Sequence, residues 1–256
     1  MPEPALLLVH GYPFDHTLWE RVIPLLNQRG DQRVHVLAPD LRGFGGKATG
    51  SDPPALDLMA ADLKELLDRA RIDRAVVAGM SMGGYVALAF AERHASRLAG
   101  LALISSQPWA DSEEARAGRR SMIQKVRREG PHCAAEAAIP KLFARQNASR
   151  SDLLAYPARG AERAGVEGIA WALEAMARRP DRTEVLKRMQ VPVLVLHGTE
   201  DQFIAPERAR EAAALAPNGR FVQVEGAGHA TPLEAPEAVA EALLDLVRQI
   251  YGNHFR

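Results

Sequence analysis

The sequence predicts a doubly wound α/β fold with a mainly parallel sheet, and three observations carry that prediction. Six short apolar runs recur, at residues 4–10, 33–38, 74–79, 98–105, 191–197 and 220–225, each closed by Gly, Asp or Ser. Their apolar residues are continuous rather than alternating, which suits strands buried on both faces, as in a parallel sheet. Each run is followed by a segment with helical spacing, and strand–helix–strand repetition builds a doubly wound sheet. The exception to the rhythm is residues 107–190, which carry no strand signal and only Ala-, Arg- and Glu-rich helical stretches.

In chain order, the run 4–10 ends in His10-Gly11-Tyr12-Pro13, and the run 33–38 leads into Asp40-Leu41-Arg42-Gly43. A helix over 57–71 sets Leu58, Met59, Leu63, Leu66 and Leu67 on one stripe, and one over 235–250 does the same with Val239, Leu243, Leu246 and Val247. Within 107–190, breaks are expected at Gly130-Pro131, Pro140, Pro157 and Arg179-Pro180. The economical division is a core of residues 1–106 and 191–256, with 107–190 inserted as a helical cap over the carboxyl edge of the sheet. That is the edge where open α/β sheets bind ligands. The run 111–128 reads as a solvated charged helix.

Composition narrows the function classes. A chain of 256 residues suggests one large domain with an inserted subdomain. Its 32 Lys+Arg balance 32 Asp+Glu, so no global field draws it to nucleic acid or an anionic membrane. Apolar and charged shares of 47% and 25% argue against disorder, coiled coil and collagen-like repeats. The single Cys133 can form neither an internal disulfide nor a metal site on its own, and reads as a small buried hydrophobe. The first residues do not read as a signal peptide, and no stretch approaches the ~20 apolar residues of a membrane span. The expected location is cytoplasmic, so the sequon Asn147-Ala148-Ser149 reads as a chance match.

The chemistry is concentrated in Gly79-Met80-Ser81-Met82-Gly83, a G-x-S-x-G directly after the strand Val76-Val77-Ala78 and directly before a helical run. The pentapeptide alone arises by chance in roughly one chain of this length in ten, but its strand-to-helix context is specific. A sharp turn there holds a serine at strained φ/ψ, glycines leave room for the backbone, and the helix N-terminus aims N–H groups at developing negative charge. A serine hydroxyl needs a base, and the base needs an acid to orient it. Both follow at later strand ends: Thr199-Glu200-Asp201 after 191–197, and Gly226-Ala227-Gly228-His229 after 220–225. Either Glu200 or Asp201 can orient a histidine. The N–H of Met82, after the nucleophile, is one oxyanion donor, and the loop at Gly11 supplies the second through Tyr12.

With these stretches in place, the chain resembles the α/β-hydrolase superfamily in its branch with a helical cap, and is most similar to small bacterial carboxylesterases and enol-lactonases. The matching stretches begin at LLLVHGYPFDHTLW, VLAPDLRGFGG, VVAGMSMGGYVALAFAERH, VPVLVLHGTEDQFIAPE and VEGAGHATPLEAPEAV. The resemblance implies Ser81 as nucleophile, His229 as base and Asp201 as acid, the last from the G-x-x-D spacing after Gly198, with the Tyr12 and Met82 amides as oxyanion hole. Epoxide hydrolases and haloalkane dehalogenases of the superfamily carry Asp where Ser81 stands. Members usually open with an antiparallel hairpin before the HG strand, whereas here the HG strand starts within ten residues of Met1, and a sheet without that hairpin is expected. One edge of a six-stranded sheet is then expected to be exposed or paired with a partner chain, as in a homodimer.

The function implied is hydrolysis of short-to-medium acyl esters of small molecules through an acyl-enzyme, with no cofactor and no metal. The alternatives are an enol-lactone-type lactonase, whose carboxylate-bearing substrate would want an Arg or Lys in the pocket, a perhydrolase on the same triad, and a non-catalytic receptor for a small ligand. His10 is expected to border the pocket. Trp19, Trp109, Phe143, Trp171 and Phe203 are weighed as pocket walls against ordinary core packing. Asp40 is expected to pair with Arg42, His197 to be a hydrogen-bonded scaffold residue, and His16, His35, His94, His132 and His254 to be surface or structural.

Overall fold

The computed structural model describes residues 4–29 and 34–252, so Arg33 and His254 lie outside the described residues. Its strands are β1 (Ala5–Val9), β2 (His35–Leu37), β3 (Ala75–Met80), β4 (Leu98–Ile104), β5 (Val193–Gly198) and β6 (Gly219–Val224). Its α-helices are α1 (Ile23–Arg29), α2 (Leu56–Arg69), α3 (Met82–Arg93), α4 (Glu113–Glu129), α5 (His132–Leu142), α6 (Ser151–Ala177), α7 (Thr183–Lys187), α8 (Pro206–Leu215), α9 (Thr231–Glu234) and α10 (Pro236–Tyr251). All six strands pair in parallel, in the order β2-β1-β3-β4-β5-β6, and each lies inside one of the six apolar runs or overruns it by a single residue at one end.

Burial explains why those runs are continuous. Every residue of β1, β3, β4 and β5 is buried, whereas the edge strands β2 and β6 are largely half-buried or exposed. Successive side chains point to opposite faces. Leu7, Val9, Val77 and Leu103 pack with α2 and α3, while Leu6, Leu8, Val76 and Ile104 pack with α10. Each such Leu, Val or Ile contributes about 1.5–3 kcal/mol on burial, and a one-residue slip of register would exchange the two faces. The α2 stripe buries Met59, Leu63 and Leu67, and that of α10 buries Val239, Leu243, Leu246 and Val247.

Chain direction across the sheet reverses between β1 and β3, because β2 lies outside β1 and β4 follows outside β3. In an open α/β sheet this switch point leaves a crevice at the strands' carboxyl ends. The residues after Val9 and after Met80 therefore share one hollow.

Among the described residues, 105–192 hold the helices α4 to α7 and no strand. The break at Gly130-Pro131 separates α4 from α5, but Pro140 and Pro157 lie inside α5 and α6 and end neither. The interruption of α6 is instead at Gly165, whose φ of 65° no α-helix accommodates. This insertion is latched to the core by ion pairs: Arg182 with Asp57 at 2.9 Å and Glu92 at 3.1 Å, Arg21 with Asp152 at 2.7 Å, and Arg163 with the buried Asp15. No helix among the described residues is long and apolar enough to cross a membrane.

His10, directly after β1, fixes the loop at the carboxyl end of that strand. It is fully buried, its ring stands edge-on to Phe44 at 5.0 Å, and Nε2 accepts the Leu41 N–H at 2.9 Å. Nδ1 must then carry the proton, which it donates to the Gly11 carbonyl at 3.0 Å. Burial, opposed by that hydrogen bond and by Asp40 and Asp15, lowers its pKa to about 4. The unfolded chain takes up a proton near 6.5 that the native state refuses until about 4, so stability falls as pH drops through that window. The loss attributable to this ring is on the order of 3 kcal/mol by pH 4. Urea unfolding at pH 7, 5.5 and 4.5 should show a flatter pH dependence for His10→Gln than for the wild type. Equal slopes would mean that His10 titrates alike in both states.

Candidate active site

Ser81 occupies the junction of β3 and α3 with φ 51° and ψ −113°, a left-handed conformation that residues other than glycine rarely adopt. Such a conformation costs about 1–3 kcal/mol and persists only where the surroundings over-determine it. Here the surroundings are backbone. A Cβ on Gly79 would strike the Gly83 carbonyl, and one on Gly83 would strike the Val9 carbonyl. The Ser81 N–H donates to the Ile104 carbonyl at 2.9 Å, and its own carbonyl accepts from Gly84 N–H at 2.9 Å and Ser106 Oγ at 2.8 Å.

From β6 the chain passes through Gly226-Ala227-Gly228 to His229, whose Nε2 lies 2.9 Å from Ser81 Oγ and whose Nδ1 lies 2.7 Å from Asp201 Oδ2. A carboxylate only accepts, so Nδ1 carries the proton and Nε2 presents its lone pair to the serine hydroxyl. Asp201, after β5, has a fully buried side chain. Its Oδ1 accepts the Phe203 N–H at 2.8 Å and the Ile204 N–H at 3.0 Å. Burial pushes the Asp201 carboxyl up, but His229, His197 and the Ile204 N–H outweigh it and hold the group below the usual carboxylate range. His197 is buried, its Nε2 donating to the Ile204 carbonyl at 2.8 Å and lying 3.3 Å from Asp201 Oδ2. Glu200 instead accepts the Arg145 N–H at 3.1 Å, so it is Asp201 that faces the imidazole.

The loop after β1 lies directly against this serine: a Cβ built on Gly11 would stand 2.5 Å from Met80 Sδ and 3.3 Å from Ser81 Cβ. Tyr12 follows in the same loop, and Met82 is the first residue of α3, where N–H groups have no intrahelical acceptor.

Ser81, His229 and Tyr12 open onto a cavity of about 300 Å³. Ala115, Ala138, Leu142, Met176 and Ile204 form its apolar wall, and Tyr85, Gln107, Asp111 and Arg119 its polar end. A hollow of about 340 Å³ lined by Asp40, Arg42, Lys47 and Asp62 shares no lining residue with the cavity at the serine. Of the aromatic residues weighed as pocket walls, Phe203 lines the cavity, half-exposed, with its ring 4.8 Å from that of His229. His10, Trp109, Phe143 and Trp171 do not line it. Phe143 and Trp171, like Trp19, are taken up by the apolar core, Trp109 stacks under the Arg208 guanidinium at 3.6 Å, and His10 is sealed beneath its loop. The lining residues missed are Tyr85, Gln107, Asp111, Ala138, Leu142, Met176 and Ile204, together with Ala115 and Arg119 of α4. Ala115 and Arg119 sit two turns and one turn before the buried Ile123, so for these two the helical stripe itself carries the signal.

Asp40 does not pair with Arg42. It accepts from the His16 backbone N–H and ring Nδ1, both at 2.8 Å, while Arg42 makes a bidentate pair with Asp62 at 2.7 and 2.9 Å. Asp15, His16 and Asp40 bring potential ligand atoms within 4.8 Å of one another, but Arg163 already occupies Asp15.

Residues 6–242 match the alpha/beta hydrolase family. The chain belongs to that family. Among solved structures, a malate-bound thermophilic esterase from Thermogutta terrifontis is 37% identical, with a TM-score of 0.90 over 96% of this chain and 90% of that one. An enol-lactonase from Burkholderia xenovorans LB400 is 28% identical, with a TM-score of 0.86 over 96% and 92%. The pimeloyl-[acyl-carrier protein] methyl ester esterase of Edwardsiella ictaluri is 28% identical over 251 residues, 94% of this chain and 92% of that protein. Some relatives are longer, and this hydrolase spans 46% of a bifunctional biotin-biosynthesis protein from Teredinibacter turnerae.

The packing of the turn makes a structural prediction. Gly83→Ala forces a methyl group into the carbonyls that end β1, in a place where no side chain can yield, and should cost more than about 3 kcal/mol. Thermal or urea unfolding reads this directly, and a variant as stable as the wild type would contradict the close approach of α3 to β1.

Proposed function

We propose that this alpha/beta hydrolase is a serine carboxylic ester hydrolase acting on short-to-medium acyl esters of small molecules. The observation that carries the reading is the unbroken hydrogen-bond chain from Asp201 through His229 to Ser81, ending on a hydroxyl held at a strained turn beside a cavity. Relatives named as esterases and an enol-lactonase support hydrolysis as the reaction class.

Ser81 Oγ attacks the ester carbonyl as His229 Nε2 takes its proton. Asp201 holds the ring in the required tautomer and stabilises the imidazolium. The Met82 and Tyr12 amides are the proposed oxyanion donors, each worth about 2.7–4 kcal/mol where developing charge is shielded from water. The imidazolium then protonates the leaving alcohol, and a water activated by the same ring hydrolyses the acyl-enzyme. Residues 107–190 act as a cap over the core formed by 1–106 and 191–256, and contribute the cavity's α4 and α6 walls.

Ser81→Ala should lower kcat on p-nitrophenyl butyrate by at least about 10⁴ while leaving the melting temperature within a few degrees. Asp201→Asn should lower kcat by about 10³–10⁴ and Glu200→Gln by less than about tenfold. A Ser81→Ala enzyme retaining a tenth of the activity would remove the nucleophile, and reversed effects at 200 and 201 would move the acid.

The cavity also limits acyl length. Each methylene that fits adds about 0.8 kcal/mol of burial, whereas one too many displaces packed side chains at about 1–3 kcal/mol. Efficiency on p-nitrophenyl esters should climb from acetate to about butyrate or hexanoate and then fall. Measured kcat/KM from two to sixteen carbons tests this, and a maximum beyond about twelve, or activation at an oil interface, would contradict a bounded pocket.

A further inference from the structure

The polar end of the cavity is out of charge balance. Asp111, whose side chain is 6% exposed, is the one carboxylate among the lining residues, and it serves two guanidiniums. Its Oδ2 accepts Arg119 Nε at 2.5 Å and its Oδ1 accepts Arg179 Nη1 at 2.6 Å. Burial pushes the Asp111 carboxyl up, but the two arginines outweigh it and hold it ionised, so this corner carries two cations and one anion. Asp201, at the reacting end, stands behind His229 and does not line the cavity.

The two arginines are not equivalent. Arg179, 2% exposed at its side chain, is spent on structure: besides Asp111 it donates to the carbonyls of Met176 and Trp109 at 3.1 Å and lies 4.0 Å over the Tyr85 ring. Arg119 lines the cavity; besides Asp111, which takes its Nε and, at 3.4 Å, its Nη2, it meets among the described residues only the Met176 sulfur, a weak acceptor, at 3.3 Å. A guanidinium has five N–H donors, so its terminal nitrogens keep N–H groups without an oxygen partner. Beside it, the Tyr12 hydroxyl is buried, and Tyr12 lines the same cavity; among the described residues the hydroxyl has no hydrogen-bond partner. Burial pushes the Tyr12 phenol up, so it stays a donor. One uncompensated positive charge, a part-free guanidinium fork and an orphaned phenol in one corner of the cavity make a receptor for a single carboxylate.

We infer that the substrate of this site is an ester or lactone that carries a carboxylate remote from the reacting carbonyl, bound by Arg119 and the Tyr12 hydroxyl. The inference rests on the hydrolase reading and deepens it from esters in general to half-esters of short dicarboxylic acids and their cyclic counterparts. One excess charge matches a carboxylate, whereas a phosphate dianion would leave a negative charge unmatched.

The test compares mono-p-nitrophenyl glutarate with p-nitrophenyl pentanoate, which puts a methyl group where the first has a carboxylate. The wild type should favour the charged ester in kcat/KM by about tenfold or more. Arg119→Gln should lower that ratio at least tenfold, Arg119→Lys less, and Tyr12→Phe in the same direction. The ratio is taken within each variant, so a smaller folded fraction does not imitate the effect. A wild-type ratio at or below one, or a ratio that Arg119→Gln leaves unchanged, would overturn the inference. Calorimetric titration with free glutarate reads the subsite without catalysis. Saturable binding weakened at least tenfold by Arg119→Gln supports it even if neither ester turns over, in which case the hydrolase reading fails alone. No glutarate binding to the wild type would overturn the subsite.

Discussion

The site depends on one backbone constraint, the positive φ of Ser81. Nothing in a serine side chain favours that conformation. It is imposed because β3 must end and α3 begin within a single residue while α3 lies close enough to β1 that Gly83 touches the Val9 carbonyl. The parallel pairing of β1 with β3, all of whose residues are buried, leaves the turn nowhere to relax. The same closeness seats the Gly11 loop against Ser81 and so assembles the proposed oxyanion donors from two loops far apart in sequence.

The other half of the site stands on loops after β5 and β6, and the helical insertion braces them. Glu234 accepts the Gly228 N–H at 2.9 Å, the Ala144 N–H at 2.8 Å and Asn147 Nδ2 at 2.8 Å, tying the residue before His229 to the segment after α5. Gln146 donates to the Gly226 carbonyl at 2.9 Å, and the Arg145 N–H reaches Glu200 beside Asp201. Burial raises the Glu234 pKa, with those donors opposing. The segment between β4 and β5 is thus hydrogen-bonded to the histidine and aspartate loops as well as lining the cavity, and a displaced 144–147 segment would be felt at the imidazole.

Much of this was legible in the sequence, and the boundary of legibility is physical. The strands could be read because both faces of the central sheet are buried, which leaves continuous apolar runs. Ser81, Asp201 and His229 could be singled out because each sits one to five residues past a strand end, where topology fixes position without knowledge of packing. The insertion has no such frame. Pro140 and Pro157 were legible as prolines and not as residues tolerated within helices, since that depends on what surrounds the freed carbonyls. Phe143 and Trp171 were legible as large and apolar, which a core and a pocket wall demand equally. Asp40 stands next to Arg42 in sequence but three-dimensional proximity gave it His16, 24 residues away.

Charge shows the same limit most clearly. Equal numbers of acidic and basic residues exclude a global field, and arginines between β4 and β5 are consistent with that: Arg182 is neutralised by Asp57 and Glu92 and Arg163 by Asp15 of the core, Arg116 by Glu113 and Arg150 by Asp152 nearby in sequence. Neutrality of the whole chain constrains only the sum. At the cavity two guanidiniums converge on Asp111, and in a desolvated corner an excess of one charge is worth more than several exposed pairs, because the surrounding medium screens it weakly. Arg119 sits on a helix whose composition reads as solvated surface, yet its place on the Ala115–Ile123 stripe turns it inward. The field a substrate meets is therefore set by which residue of a charged helix falls on the buried face, a matter of spacing by fours rather than of net charge.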